Sequence, residues 1–190
     1  GAILVNQQGE RFVNEMETRD TVSAAINALE EGYAYLIFDA GVKDRVKAVN
    51  TYIEKGFVQS DETIEALAGQ LEMDSATLAQ TLTSWNETIA SQVDGAFNRT
   101  TGMVNPLAAA PYYAIQIAPG IHHTMGGLKI NSNAQVISTE GTVIEGLYAA
   151  GEVTGGVHGS NRIGGNAVAD IIVFGRQAGV QSASYVQSME

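Results

Sequence analysis

Residues 146–167 read GLYAAGEVTGGVHGSNRIGGNA, and the reading of this stretch decides the fold. Its first part continues Thr142-Val143-Ile144-Glu145 and ends Leu147-Tyr148-Ala149-Ala150-Gly151-Glu152, a short apolar strand that stops at a glycine and an acid. A glycine at a strand end lets backbone approach a ligand closely, and the acid beside it can accept hydrogen bonds from hydroxyl groups. From Gly151 to Ala167 six glycines fall within 17 residues and lead straight into an apolar helical pattern. A lysine-bearing phosphate loop needs G-x-x-x-x-G-K-[ST], and no lysine is present; the dinucleotide loop G-x-G-x-x-G does not fit either. What remains is a helix N-terminus whose free N–H groups and positive dipole end face a group that gathers negative charge.

The strand-to-acid pattern T-x-x-x-x-h-Y-h-h-G-[D/E] resembles the second flavin-binding fingerprint of two-dinucleotide-binding flavoproteins. The pyrimidine edge of a reduced flavin is an acceptor of the kind the helix end would face.

Upstream, Ala2–Asn6 and Glu10–Asn14 flank Gln7-Gln8-Gly9 as a β-hairpin. Thr18 or Asp20 caps a helix through Val22, Ile26 and Leu29, and Tyr33–Phe38 is a buried strand. Helices follow over Val42–Val49, over Asp61–Leu71 behind Ser60, and over Ser75–Ser91 behind Asp74. The last carries Leu78, Leu82, Trp85 and Ile89 on one face, a core stripe rather than a cofactor platform. Residues 93–110 lack periodicity and read as a loop or linker. Strands are expected over Tyr112–Ile117, Gly127–Ile130, Ala134–Ile137 and Leu147–Ala150, and a helix over Val168–Val186. The change of texture sets a boundary near residues 106–111, and the overall class is α+β.

Composition narrows the function. A net charge of −11 with only ten Lys and Arg argues against a nucleic-acid partner. Without cysteine there is no disulfide framework, thiolate nucleophile or thiolate-bound metal. No run of about 18 apolar residues suggests a membrane span. The compartment, cytoplasmic or periplasmic, stays open. The chain opens on Gly1-Ala2-Ile3-Leu4-Val5 without Met or a leader pattern, and is expected to be a piece of a longer protein.

Two further stretches carry candidate chemistry. In Ile121-His122-His123-Thr124-Met125-Gly126-Gly127 the adjacent histidines, placed on a strand, point to opposite faces, so one is exposed or structural. No metal site is expected, because i, i+1 histidines lack helical ligand spacing and no third partner is evident. His158 reads as structural. In Glu15-Met16-Glu17-Thr18-Arg19-Asp20, Arg19 on its own reads as an exposed arginine at a helix entry, paired with Asp20 or Glu15.

Taken together, GERFVNE…TRD (9–20), HHTMGG (122–127), GLYAAGEVTGGVHGSNRIGGNA (146–167) and FGRQAG (174–179) closely resemble the flavoprotein of soluble fumarate reductases of the flavocytochrome c type, within the fumarate reductase/succinate dehydrogenase family. The resemblance runs through nearly the whole chain. It implies that residues 1–110 are most of a mobile clamp, or capping, domain, and that 111–190 are the C-terminal strands and helix of an FAD-binding α/β domain. It implies a bacterial oxidoreductase of anaerobic respiration that reduces fumarate to succinate, with FAD as cofactor and an electron-donor domain or protein as partner. Arg19 matches the proton donor; His122, Arg162 and Gly165 match the substrate site; and His123, Glu152, Ala167 and Val168 match flavin contacts.

Arginine is a poor acid as a residue type, so the proton-donor role needs a very basic developing carbanion and a relay. A dicarboxylate in turn suits a bidentate guanidinium at a glycine-lined site. The sequence departs from the family in lacking the G-x-G-x-x-G loop, an upstream histidine, a Thr-Glu pair and a second relay arginine. This polypeptide alone is therefore expected neither to retain FAD nor to reduce fumarate. Urocanate or another acrylate is an alternative substrate, and a 3-ketosteroid dehydrogenase fits less well because it has less use for Arg162. A non-catalytic binding domain is the reading from another class.

Overall fold

The computed structural model describes residues 1–190, which divide into two compact units, Gly1–Pro119 and Gly120–Glu190.

The first unit is built on a four-stranded antiparallel sheet in the order β1-β2-β4-β3. Its strands are β1 (Ile3–Val5), β2 (Ala34–Asp39), β3 (Val58–Asp61) and β4 (Tyr112–Ile117). The near-continuous apolar run of β2 fits a central strand, because both of its edges and much of its surface are covered. Leu36 lies opposite Leu4 and Ile115, and Phe38 opposite Tyr113, whose rings stack at 5.2 Å. Around the sheet run α1 (Arg19–Asn27), α2 (Ala40–Arg45), α3 (Ala48–Glu54), α4 (Ile64–Gln70) and α5 (Ser75–Ser91).

Three helix starts carry side-chain caps, whereas Thr18, at the N-cap of α1, makes no capping hydrogen bond. Asp39 Oδ1 accepts from Val42 N–H (2.9 Å), Thr63 Oγ1 from Ala66 N–H (3.2 Å) and Asp74 Oδ2 from Thr77 N–H (2.7 Å). The α5 stripe Leu78, Leu82, Trp85 and Ile89 is buried as expected.

Several local expectations change. The second arm of the N-terminal hairpin shrinks to a single bridge between Val5 and Arg11. The helix expected over Val42–Val49 breaks at Val46, whose φ −113° and ψ 89° leave the helical region, and resumes as α3. Asp61 ends β3 rather than starting a helix; with one apolar residue in Val58–Asp61, this edge strand had no alternation to reveal it. β4 belongs to the first compact unit, since it pairs with both β2 and β3.

Residues 93–110 form a packed loop. Arg11 and Arg99 lie over the Trp85 ring, each 4.6 Å from its centroid. Glu15 binds Arg11 Nε and Arg99 Nη1, both at 2.9 Å, and Asp94 binds Arg11 Nη2 at 3.0 Å. All four charged side chains are at most 8% exposed.

The second unit holds β5 (Leu128–Lys129), β6 (Gln135–Ile137), β7 (Val143–Tyr148), β8 (Thr154–Gly155) and α6 (Asn166–Gln187). β5 pairs in parallel with β8, and β6 with β7 as a bulged hairpin. At the β5–β8 junction the backbones meet so closely that a Cβ on Gly127 would collide with the Val153 carbonyl. Only glycine fits there.

Candidate functional site

The glycine-rich segment folds as its composition suggests. β7 ends at Tyr148, a single 3₁₀ turn spans Gly151–Val153, and β8 follows. Thr154 Oγ1 closes that turn on the Gly151 carbonyl at 2.7 Å. Glu152 is exposed at the strand tip, where its Oε1 accepts the Thr124 N–H (3.1 Å) and its carbonyl accepts the Thr124 hydroxyl (3.2 Å). These two bonds tie the histidine-bearing segment to the acid after β7.

His122 and His123 do not lie on a strand; the segment between β4 and β5 is irregular, with a bend at His122. Alternation of faces therefore does not govern them. His122 is exposed and His123 half-buried, with His123 Nδ1 accepting the Met125 N–H at 3.2 Å. The His123 ring meets that of His158 edge-on at 5.6 Å.

His158 Nε2 in turn lies 3.0 Å from Asp170 Oδ2. Spacing along the chain could not reveal this group, because its members come from the histidine segment, the glycine-rich loop and the second turn of α6.

α6 begins behind Gly165, which takes a left-handed conformation (φ +86°) and has open space where a side chain would stand. Asn166 N–H bonds the Ile163 carbonyl (3.2 Å) and Val168 N–H bonds that of Gly165 (3.0 Å). The expected contact of Val168 thus rests on its position at the helix start rather than on a free N–H. Arg162 is half-buried one turn before the helix; its Nη1 donates to the Ile163 carbonyl at 3.2 Å, while its Nε is buried without a partner. A guanidinium so sparingly used has donors left for an anion.

Arg19 belongs to the first unit, as the opening residue of α1, and is exposed. It forms no ion pair with either expected partner: Asp20 is not paired to it, and Glu15 is turned inward to Arg11 and Arg99. A cavity of about 540 Å³ in the first unit, lined by Leu36, Phe38, Val42 and Ile115 among others, contains none of the expected site residues.

The family described as FAD binding domain matches residues 1–168. The chain belongs to this family of FAD-binding flavoproteins. Among its relatives, the NADH:fumarate oxidoreductase of Klebsiella pneumoniae is 56% identical over 96% of the chain and 20% of its own length. The urocanate reductase of Eggerthella lenta is 38% identical over 96% of the chain and 31% of its own length. A solved open conformation of a flavocytochrome c3 fumarate reductase superposes with a TM-score of 0.81, at 46% identity, covering 97% of this chain and 33% of that one. The chain thus spans between a fifth and a third of the length of these relatives. The expectation of a fumarate-reductase-type flavoprotein stands. No helix of the chain is long and apolar enough to cross a membrane.

Proposed function

We propose that residues 1–190 supply, within a longer polypeptide, the flavin-ring and substrate side of an FAD-dependent enzyme that reduces the carbon–carbon double bond of a small unsaturated carboxylate, fumarate first. The observation that carries this reading is Arg162, whose buried Nε has no partner and whose Nη1 makes one contact to its own neighbour, at the glycine-rich start of α6. A half-buried cation with spare donors beside open backbone suits a carboxylate ligand.

The residues present fit one half of the cofactor. The exposed Glu152 at the strand tip and the open helix start at Gly165 suit the ribitol and ring. No glycine phosphate loop for the adenosine diphosphate half occurs in the chain. When bound, FAD supplies the hydride that adds to one alkene carbon. In this reading His123, Glu152, Ala167 and Val168 line the ring. His122 and Arg162 hold the substrate carboxylates and draw electron density toward them, while Gly165 leaves room for substrate against the backbone. Arg19, unpaired on the first turn of α1, delivers the proton to the other alkene carbon. The first unit then acts as the clamp, and the second as the returning part of the FAD domain.

Turnover of the complete protein with a reduced dye, against a panel of fumarate, urocanate and acrylate, tests the proposal. Fumarate should turn over fastest. Arg19→Gln should lower kcat at least about 100-fold with little change in KM, the signature of lost proton transfer. Arg162→Met should chiefly raise KM. No turnover of any of the three acids would overturn the reading, and equal losses in kcat and affinity for Arg19→Gln would remove its role as acid. The relative that reduces urocanate is the reason that acid is in the panel.

A further inference from the structure

We propose that His123, His158 and Asp170 form a binding site for a divalent transition-metal ion, in the class of zinc or cobalt. Each side chain offers one ligand atom, and the three atoms lie within 4.8 Å of one another. His158 Nε2 and Asp170 Oδ2 are 3.0 Å apart. Two donors held at about 2.0–2.1 Å by one tetrahedral ion stand roughly 3.3 Å apart, so this pair already has nearly the required edge length. His123 has to close by at most roughly 1.5 Å, the difference between 4.8 Å and that edge. It sits on an irregular, half-exposed segment that can make such a move.

A second observation points to a ligand. The Asp170 side chain is 3% exposed, and its Oδ1 is buried with no hydrogen-bond partner. A buried carboxylate with one oxygen unsatisfied wants a partner and a counter-charge there, and the His158 contact engages only its other oxygen. A dication seated between the rings and the carboxylate supplies both. The donor set of two imidazoles and one carboxylate suits zinc or cobalt rather than magnesium or calcium, which want mostly oxygen, and three protein ligands leave a fourth position open.

One contact must yield. Met125 N–H donates to His123 Nδ1 at 3.2 Å. Coordination through Nδ1 takes the lone pair that this bond uses, and coordination through Nε2 places the ring proton on Nδ1. Either way the bond opens, which makes the Met125 amide a reporter of metal binding that a passive structural cluster would not disturb.

The site needs only residues of the second unit and no flavin, so its test is independent of the reduction chemistry proposed above. The flavin-free 190-residue chain is titrated with Co²⁺. Expected are the visible d–d bands of tetrahedral cobalt, saturating at one ion per chain and abolished by Zn²⁺. His158→Ala and Asp170→Asn should each weaken binding at least about 10-fold, while His122→Ala should not. Because those two variants could loosen the start of α6, the unmodified chain is also followed by nuclear magnetic resonance. Zn²⁺ should shift the Met125 amide and the ring nitrogens of His123 and His158 while leaving those of His122 unmoved. Absence of tetrahedral bands, equal binding by folded His158→Ala or Asp170→Asn, or shifts centred on His122 would overturn the proposal and leave a hydrogen-bonded His158–Asp170 pair.

Discussion

Replacing Glu15 by Gln should destabilise the first unit by about 3–5 kcal/mol, the range for breaking a buried ion pair by removing one partner. The figure follows from what the carboxylate does. Its oxygens accept from Arg11 Nε and Nη2 and from Arg99 Nη1, each at 2.9 Å, and from the Leu4 N–H at 3.2 Å. Glutamine keeps one acceptor for Arg11 Nε and Leu4. Its amide nitrogen, however, would face Arg11 Nη2 and Arg99 Nη1, donor against donor. Two charge-assisted bonds are lost, at about 1.5–3 kcal/mol each, and two buried guanidiniums keep only Asp94 as a carboxylate neighbour. The chain's single tryptophan, Trp85, lies under both arginines and reports the transition directly. With a urea slope of about 1–3 kcal/mol per molar, the midpoint of Trp85 fluorescence should fall by roughly 2 M. A fall equivalent to less than about 1 kcal/mol would show that the cluster behaves as a solvated surface network, and the argument would fail.

Two further outcomes follow from the same structure. Burial opposes ionisation of Asp94, but hydrogen bonds from the Arg11 guanidinium and from the Phe97 and Arg99 N–H groups outweigh it and hold its carboxyl below the ordinary 3.8. The unfolded chain therefore binds the extra proton first: the contribution is complete above about pH 3.8 and is lost as pH falls through the folded value, so the urea midpoint should drop on acidification there and respond less in Asp94→Asn. In hydrogen exchange, amides of α6, where Asp170 is the one buried residue over 22 positions, should show protection at least about 100-fold lower than those of α5, which buries Leu78, Leu82, Trp85 and Ile89; equal protection would contradict the burial pattern.

What the sequence disclosed tracks how local each interaction is. α5 was legible because its cap and its stripe lie within one helical period, and β2 because a run of apolar residues needs no partner to be seen. The start of α6 was legible from its glycines. The break at Val46 and the edge strand Val58–Asp61 were not, since each is imposed by packing rather than by propensity. The same holds for charge. Arg19 was expected to pair with Asp20 or Glu15, but Glu15 joins Arg99, 84 residues away, because closing residues 93–110 over Trp85 places that guanidinium beside it. Asp170 was read simply as a helical position, and only the fold brings His158 to it.

The second unit combines open backbone with a thin core. Thirteen of the 21 glycines lie in residues 120–190, where they let β5 meet β8 and open the start of α6. Only Ala134 and Val136 are buried hydrophobics there, against the continuous cluster from Ile3 to Ala114 in the first unit, while Leu147, Ile171, Ile172 and Val173 are exposed. Apolar burial therefore cannot be what fixes the loops that carry His122, His123 and Arg162. Polar pins take that part: Thr124 to Glu152, Thr154 to the Gly151 carbonyl, and His158 to Asp170. Hydrogen bonds hold a loop by direction where packing holds it by volume, and each is worth only about 0.5–1.5 kcal/mol net. A unit pinned in this way keeps its backbone open to a ligand, and gains further order when a ligand or a metal ion engages the same side chains.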